Sequence, residues 1–327
     1  MTVIAHGGRL SEARRLFPQA PEPWLDLSTG INPLPYSLPP LSTELFARLP
    51  DPVDVAALQE AAARAYGVSD PAMVVAAPGT QILIDLLPRL WPVTSVRVLG
   101  PTYAEHALSW QKAGAKVTTV TEPVIDEVVV VCNPNNPDGR RMPAERLLAL
   151  ADEVAERNGL LVVDEAFADL ECDGMSLASR LPHKAIVVLR SFGKTYGLAG
   201  LRLGFALAAP ERAALIRDAL GPWAVSGPAI AIGRMALQDR NWLATTRARL
   251  SHDTAMLDAC LTNGGLRVVG GTLLYRLAAA PDASDVFTRL GRAGIFVRRF
   301  AEHPEWLRFG QPGGAAEMHR LAVALNA

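Results

Sequence analysis

The spacing of apolar and polar positions divides the chain into three textures. Residues 18–52 are broken by Pro18, Pro21, Pro23, Pro33, Pro35, Pro39, Pro40, Pro50 and Pro52. Proline fixes φ and removes a backbone donor, so this stretch reads as an extended arm that buries Trp24, Leu25 and Leu27 across a surface. From residue 54 short apolar runs alternate with helix-length amphipathic stretches. The runs cover 73–77, 95–99, 116–120, 127–132, 160–163, 185–189 and 203–207, and the helical pattern is clearest over 143–157. Near-continuous apolar strands separated by helices predict an α/β domain with a mostly parallel sheet covered on both faces. Beyond Pro210 the texture changes to helices over 211–219, 228–249 and 252–262, followed by strands over 266–269, 272–278 and 295–298. The expected organisation is an arm over 1–53, a large α/β domain over 54–210 and a small α+β domain over 211–327.

Composition narrows the function. Hydrophobic residues make up 50% of the 327 residues and charged residues 20%, which supports a real core and excludes global disorder. Lys and Arg total 32 against 33 Asp and Glu, a net charge of −1, so nothing favours nucleic acid as a partner. The first eight residues lack the apolar core of a secretory signal, and no apolar run approaches the roughly 20 residues that span a bilayer. Cys132, Cys172 and Cys260 lie far apart, and the histidines show no zinc-ligand spacing. A soluble, cytoplasmic protein without a metal site and without a membrane partner is expected.

Four polar clusters follow apolar runs: Pro78-Gly79-Thr80, Asn133 to Pro137, Asp164 to Phe167, and Ser191 to Thr195. In α/β sheets ligands bind outside the carboxyl ends of the strands, so all four are expected to face one crevice. Gly193-Lys194-Thr195 mimics the end of a phosphate-binding loop and Asp164-Glu165 an acidic strand end. The glycine such a loop needs five residues earlier is Val188, within an apolar strand, which argues against a nucleotide triphosphatase. Gly79-Thr80 opening a helix offers free backbone N–H groups and a favourable dipole to an anion. Asp164 ending a buried strand needs a positive partner.

The segment from Ser191 through Lys194 to Arg202 and Gly204 resembles the lysine signature of the class I/II aminotransferase-type, fold type I pyridoxal-phosphate enzymes. The His6-Gly7-Gly8 start, the Ser28 to Pro33 stretch, the Gly100 to Glu105 stretch and Pro222-Trp223 extend the resemblance over nearly the whole chain. Within the family the chain is most similar to the threonine-phosphate decarboxylase-like branch of cobalamin biosynthesis. The resemblance implies a large seven-stranded domain, a small C-terminal α+β domain, a homodimer, and pyridoxal 5'-phosphate as cofactor. It also assigns roles. Lys194 bonds covalently to the cofactor, Asp164 pairs with its ring nitrogen, and Tyr103 stacks on the ring. Asn136 bonds the ring hydroxyl, while Gly79, Thr80, Ser191 and Arg202 hold the phosphate. Arg308 clamps the substrate carboxylate, and Arg298 with His6, Gly8 and Asn32 surrounds a substrate phosphate.

The implied reaction is decarboxylation of L-threonine O-3-phosphate to (R)-1-amino-2-propanol O-2-phosphate. The alternatives are a histidinol-phosphate-type aminotransferase and a catalytically silent scaffold on the same fold. Two positions depart from the family pattern: Phe167 and Leu49 stand where many relatives carry tyrosine. Arg298 and Arg299 are adjacent, and on a strand only one of them can share a face with the site.

Overall fold

The structure, a computed structural model, describes residues 6–171 and 174–327; Cys172 lies outside them. In chain order the first helices are α1 (Leu10–Leu16), α2 (Glu44–Ala47), α3 (Pro52–Tyr66), α4 (Thr80–Leu90), α5 (Ala104–Lys112) and α6 (Ala144–Glu156). They are followed by α7 (Phe192–Thr195), α8 (Pro210–Leu220), α9 (Gly227–Gln238), α10 (Arg240–Asn263), α11 (Ala283–Arg292) and α12 (Ala315–Asn326). The strands are β1 (Leu25–Asp26), β2 (Val74–Ala77), β3 (Ser95–Leu99), β4 (Lys116–Val120), β5 (Val128–Cys132), β6 (Leu160–Asp164) and β7 (Ile186–Ser191). β8 (Gly204–Ala208), β9 (Arg267–Thr272), β10 (Tyr275–Ala279), β11 (Ile295–Phe296), β12 (Arg298–Phe300) and β13 (His303–Gly310) complete the set. Among the described residues no helix is long and apolar enough to cross a membrane.

The chain forms two compact units: Pro35–Asn136 with Arg141–Trp242, and the residues up to Leu34 with Pro137–Arg140 and Leu243–Ala327. In the first unit the seven apolar runs become one sheet in the order β2-β8-β7-β6-β5-β3-β4, parallel except for the antiparallel β8. Strand alternation sends Val129, Val131, Leu161, Val163, Ile186 and Val188 to one face, against α3, α6 and α9. Val128, Val130, Leu160, Val162, Val187 and Leu189 go to the other, against α4, α5 and α8. Such strands have no polar face, which is why their sequence reads as unbroken apolar runs. This is the fold type I architecture.

The second unit carries a four-stranded antiparallel sheet, β12-β13-β10-β9, over a core of Leu257, Leu261, Val286, Phe287, Leu290, Leu307 and Phe309. Its β1 pairs in parallel with β11, Leu25 opposite Ile295. Gly139 (φ +72) lies so close to β9 that a Cβ there would sit 2.0 Å from the Gly271 carbonyl oxygen.

The divisions fall differently from those expected at 53/54 and 210/211. Residues 211–242 group with the large sheet because α8 packs on β2 and β8, and α9 packs along α3. The proline-rich arm divides at Leu34. Beyond it, Tyr36 donates its N–H to the Tyr196 carbonyl at 2.9 Å, and Gly227 allows α9 to approach the Leu45 backbone. The arm is not wholly irregular either: α2 forms in the proline-free interval between Pro40 and Pro50. The expected helix break near residue 251 is absent. α10 runs through it, with Arg249 and Asp253 paired at 3.0 Å, and the break lies at Asp239, whose carboxylate accepts from the Trp242 N–H at 2.9 Å.

Candidate active site

Register places the polar clusters side by side along one edge of the large sheet. Ser191 lies opposite Gly204, Gly204 opposite Ala77, and Asp164 opposite both Cys132 and Leu189. The lysine turn is the short helix α7. Gly193 is required there because a Cβ would come 2.7 Å from the Ala199 Cα, and no backbone atom can yield so far. Beneath it Phe192 stacks on Tyr196 at 4.3 Å, and Tyr196 stacks on Trp242 at 5.2 Å, fixing the turn from below. Lys194 is half-buried, its Nζ 4.8 Å from the Phe167 ring centroid. A phenyl group there leaves the amine a cationic contact without a hydrogen-bonding hydroxyl.

A cradle of donors opens at the start of α4. Gly79 adopts φ +86, and a Cβ on it would fall 2.5 Å from the Arg202 guanidinium. Arg202 is itself in the left-handed region (φ 55), a conformation that costs a non-glycine residue free energy, and its Nη1 donates to the Ala199 carbonyl at 3.0 Å. Gly204 passes so near that a Cβ there would meet the Thr80 nitrogen at 2.7 Å. Helix N–H groups and a guanidinium thus share a space that side chains have been excluded from, with Ser191 on the adjoining strand end opposite Gly204. That donor set suits a phosphate.

Parity separates the Asp164-Glu165 doublet. Asp164 continues the face of Leu160 and Val162, where Cys132 also points, and its Oδ2 lies 2.9 Å from His106 Nε2 on α5. Its Oδ1 accepts the Ala166 N–H at 3.0 Å. Burial opposes a charge on His106, but Cys132 and the Asp164 carboxylate outweigh it and push its pKa up to about 10. An ionised carboxylate oriented this way fits a protonated pyridine nitrogen. Tyr103 caps α5, its ring edge-on to His106 at 6.0 Å, and its hydroxyl donates to Gln81 Oε1 at 3.1 Å. The loop leading to Asn136 is held by a reciprocal pair between the Asn133 amide and the Met142 backbone, at 2.8 and 3.0 Å, and by Asn135 Nδ2 on the Pro101 carbonyl at 2.9 Å. Leu49 is 68% exposed.

Glu165 takes the opposite face. It receives Arg190 Nη1 at 2.7 Å and the Leu177 N–H at 2.8 Å, while Arg190 also pairs with Asp169 and lies over the Tyr66 ring at 4.5 Å. This buried network ties the strand that leads to Lys194 to the segment after β6, between Asp164 and Asp169, that carries Phe167.

In the second unit Arg298 lies directly opposite Arg308 in the β12–β13 ladder, so the two share a face. Arg299 turns away and lies over the Phe287 ring at 3.9 Å. Arg308 is buried, 5.0 Å over Tyr275, and its Nη2 donates to the Ser28 carbonyl at 3.0 Å. Burial first, and then the neighbouring Arg298, lower its pKa to about 10, against the influence of Tyr275. A guanidinium held at such cost is relieved by an anion. Ser28 Oγ also accepts the Gly8 N–H at 2.7 Å, which brings the glycine stretch to the same place. Asn32 belongs to another contact: its Oδ1 accepts from Arg249 Nη2 at 2.8 Å and from the Leu34 N–H at 3.1 Å. His6 is half-buried.

Sequence reasoning overlooked His106, Gln81 and Arg190. The first two carried faint signals: His106 is three residues after Tyr103, one helical turn on, and Gln81 follows Thr80 at the start of α4. Arg190 directly follows the apolar run 185–189, which Lys184 precedes.

The chain as a whole is similar to known proteins. Residues 38–325 match the model of the family described as aminotransferase class I and II. A threonine-phosphate decarboxylase from a Sinorhizobium species is 44% identical, over 98% of this chain and 97% of its own. One from Pseudomonas aeruginosa is 40% identical, over 99% and 97%. Among solved structures, histidinol-phosphate aminotransferase from Sinorhizobium meliloti, in complex with pyridoxal-5'-phosphate, aligns with a TM-score of 0.80 at 23% identity, covering 100% of this chain and 98% of that one. With a match over nearly its whole length and the sheet topology described above, the chain belongs to the class I and II aminotransferase family.

Proposed function

We propose that this protein is a pyridoxal 5'-phosphate-dependent decarboxylase of L-threonine O-3-phosphate, releasing carbon dioxide and (R)-1-amino-2-propanol O-2-phosphate. The observation that carries the reading is the 44% identity to a threonine-phosphate decarboxylase over 98% of the chain. The bound cofactor supplies an electron sink for the pair left behind when the carboxylate departs. Thr80, Ser191 and Arg202 would hold its phosphate with Gly79, Tyr103 would pack on its ring, and Asn136 would bond the ring hydroxyl. Asp164, oriented by His106 and the Ala166 N–H, would face the ring nitrogen and hold its proton. Lys194 would hold the cofactor through its Nζ, and the same amine, displaced by the substrate's, would be the group placed to return a proton to Cα. Arg308 binds the substrate carboxylate, and Arg298, Gly8, His6 and Asn32 serve its phosphate.

The enzyme is a cytoplasmic homodimer in this reading. Support for self-association comes from Phe46, Leu49, Val53 and Trp223, large apolar residues left 58–74% exposed. Light scattering after size-exclusion chromatography measures the dimer mass directly. The activity test incubates the cofactor-loaded protein with L-threonine O-3-phosphate. Carbon dioxide and the amino alcohol phosphate should appear in equal amounts. Production of a 2-oxoacid, with no carbon dioxide and with histidinol phosphate as the better amino donor, would replace the decarboxylase by an aminotransferase.

A further inference from the structure

We propose that Gln81 is a positioning residue that fixes the ring plane and the hydroxyl proton of Tyr103, and that Asp85 requires a neutral amide at position 81. The inference rests on the reading that Tyr103 packs against the cofactor ring. It starts from a chain of four side chains linking α4 to α5. Ser109 Oγ, on α5, donates to Asp85 Oδ1 at 2.5 Å. Asp85 Oδ2 accepts from Gln81 Nε2, one turn back along α4, at 3.3 Å. Gln81 Oε1 accepts from the Tyr103 hydroxyl at 3.1 Å.

The direction of every bond follows from chemistry. A carboxylate only accepts, so the Gln81 amide must turn its NH2 toward Asp85. Its carbonyl oxygen then faces Tyr103, and a carbonyl also only accepts. The phenol must therefore donate, and its proton is committed to Gln81. The ring is held from two sides, its tip by Gln81 and its edge by His106, which bonds Asp164 in turn. Leu83, Ile84 and Leu87 of α4 share a core with Trp110 of α5, so the two helices that anchor the chain are packed together. Tyr103 is thereby set in place before any ligand arrives, and its hydroxyl is withdrawn from proton transfer. A glutamate at position 81 would still accept from Tyr103 but would oppose Asp85, charge against charge one helical turn apart.

The test titrates the apoprotein with pyridoxal 5'-phosphate, reading tryptophan fluorescence, with no substrate present. Gln81→Met and Tyr103→Phe should each weaken binding about fivefold, the measure of one hydrogen bond. The double variant should be no weaker than either single one, because both remove the same bond. Gln81→Glu should bind as weakly as Gln81→Met, and combining it with Asp85→Asn, which exchanges acid and amide, should restore wild-type affinity. Apoprotein melting temperatures should stay within a few degrees, separating positioning from folding. Additive losses in the double variant, wild-type affinity in Gln81→Met, or no recovery in the exchanged pair would overturn the inference. A wild-type apoprotein that binds no pyridoxal 5'-phosphate would overturn the cofactor reading itself, and this proposal with it.

Discussion

His106 and Asp164 form a buried pair, Nε2 to Oδ2 at 2.9 Å, in which the imidazole titrates well above its ordinary range. The pair joins α5 to the end of β6, so it is a folding contact as well as a way to orient the Asp164 carboxylate. Its pH signature has a definite sign. A base whose pKa is raised from 6.5 to about 10 on folding contributes stability that is fully present below pH 6.5. That contribution declines across the interval and is lost as pH rises through 10. Melting curves of apoprotein and of His106→Gln, taken from pH 6 to 10.5, should differ most at the acid end and converge at the alkaline end. A gap that stays constant with pH would mean that His106 is neutral in the folded protein.

Asp164→Asn tests the other half of the pair. The shape is nearly conserved, and the Ala166 N–H keeps an acceptor. What disappears is the negative charge proposed to face the ring nitrogen. Carbon dioxide release should fall at least about a hundredfold, the scale of losing one well-placed electrostatic partner. Cofactor should still bind through Lys194 and the donors around Gly79. Near-normal turnover would show that another group serves the ring nitrogen.

Where strands are buried on both faces, composition alone marks them, and the seven apolar runs all became strands of the large sheet. The same rule failed for β13. Its first residues, His303-Pro304-Glu305, are polar or lack a donor, and the strand begins there because His303 pairs with Phe300 of β12. Lys194 was legible because a local turn, with Gly193 forced by the Ala199 backbone, is written in consecutive residues. His106 and Arg190 were not, since each acquires its meaning from a partner on a different element. The break expected between 249 and 252 lies instead at Asp239, whose carboxylate accepts from the N–H of Trp242 three residues on, a local capping signal that the sequence reading passed over.

The adjacent arginines also needed the structure, and their separation makes a sharp comparison. Arg298 shares a face with Arg308, whereas Arg299 covers Phe287. Arg298→Ala should raise KM for threonine phosphate by about one to two powers of ten, as expected for a charge-assisted contact of roughly 1.5–3 kcal/mol. Arg299→Ala should leave KM within about threefold and instead lower the melting temperature modestly, through the lost packing on Phe287. The visible absorbance of the bound cofactor should be unchanged in both. Equal KM effects in the two variants would contradict the assignment of faces.

Arg190 is the last of the buried charges, and removing it should invert the usual response to acid. Two carboxylates, Glu165 and Asp169, converge on one guanidinium in a site closed to water. Arg190→Met leaves both without their cation, which should cost about 3–5 kcal/mol, the range found when one partner of a buried pair is deleted. Even with Arg190 present, burial raises the Glu165 pKa, with Arg190 and the Ser176 and Leu177 hydrogen bonds acting against it. Without the arginine the rise must be larger. A carboxyl that binds its proton more tightly folded than unfolded stabilises the protein at low pH and loses that contribution as pH rises. Arg190→Met should therefore melt higher at pH 5.5 than at pH 8, and adding Glu165→Gln should raise its melting temperature at pH 8 and flatten the dependence. If Arg190→Met instead loses stability on acidification, the buried acids are not the source of the defect, and the network does not hold the Asp164 loop through charge.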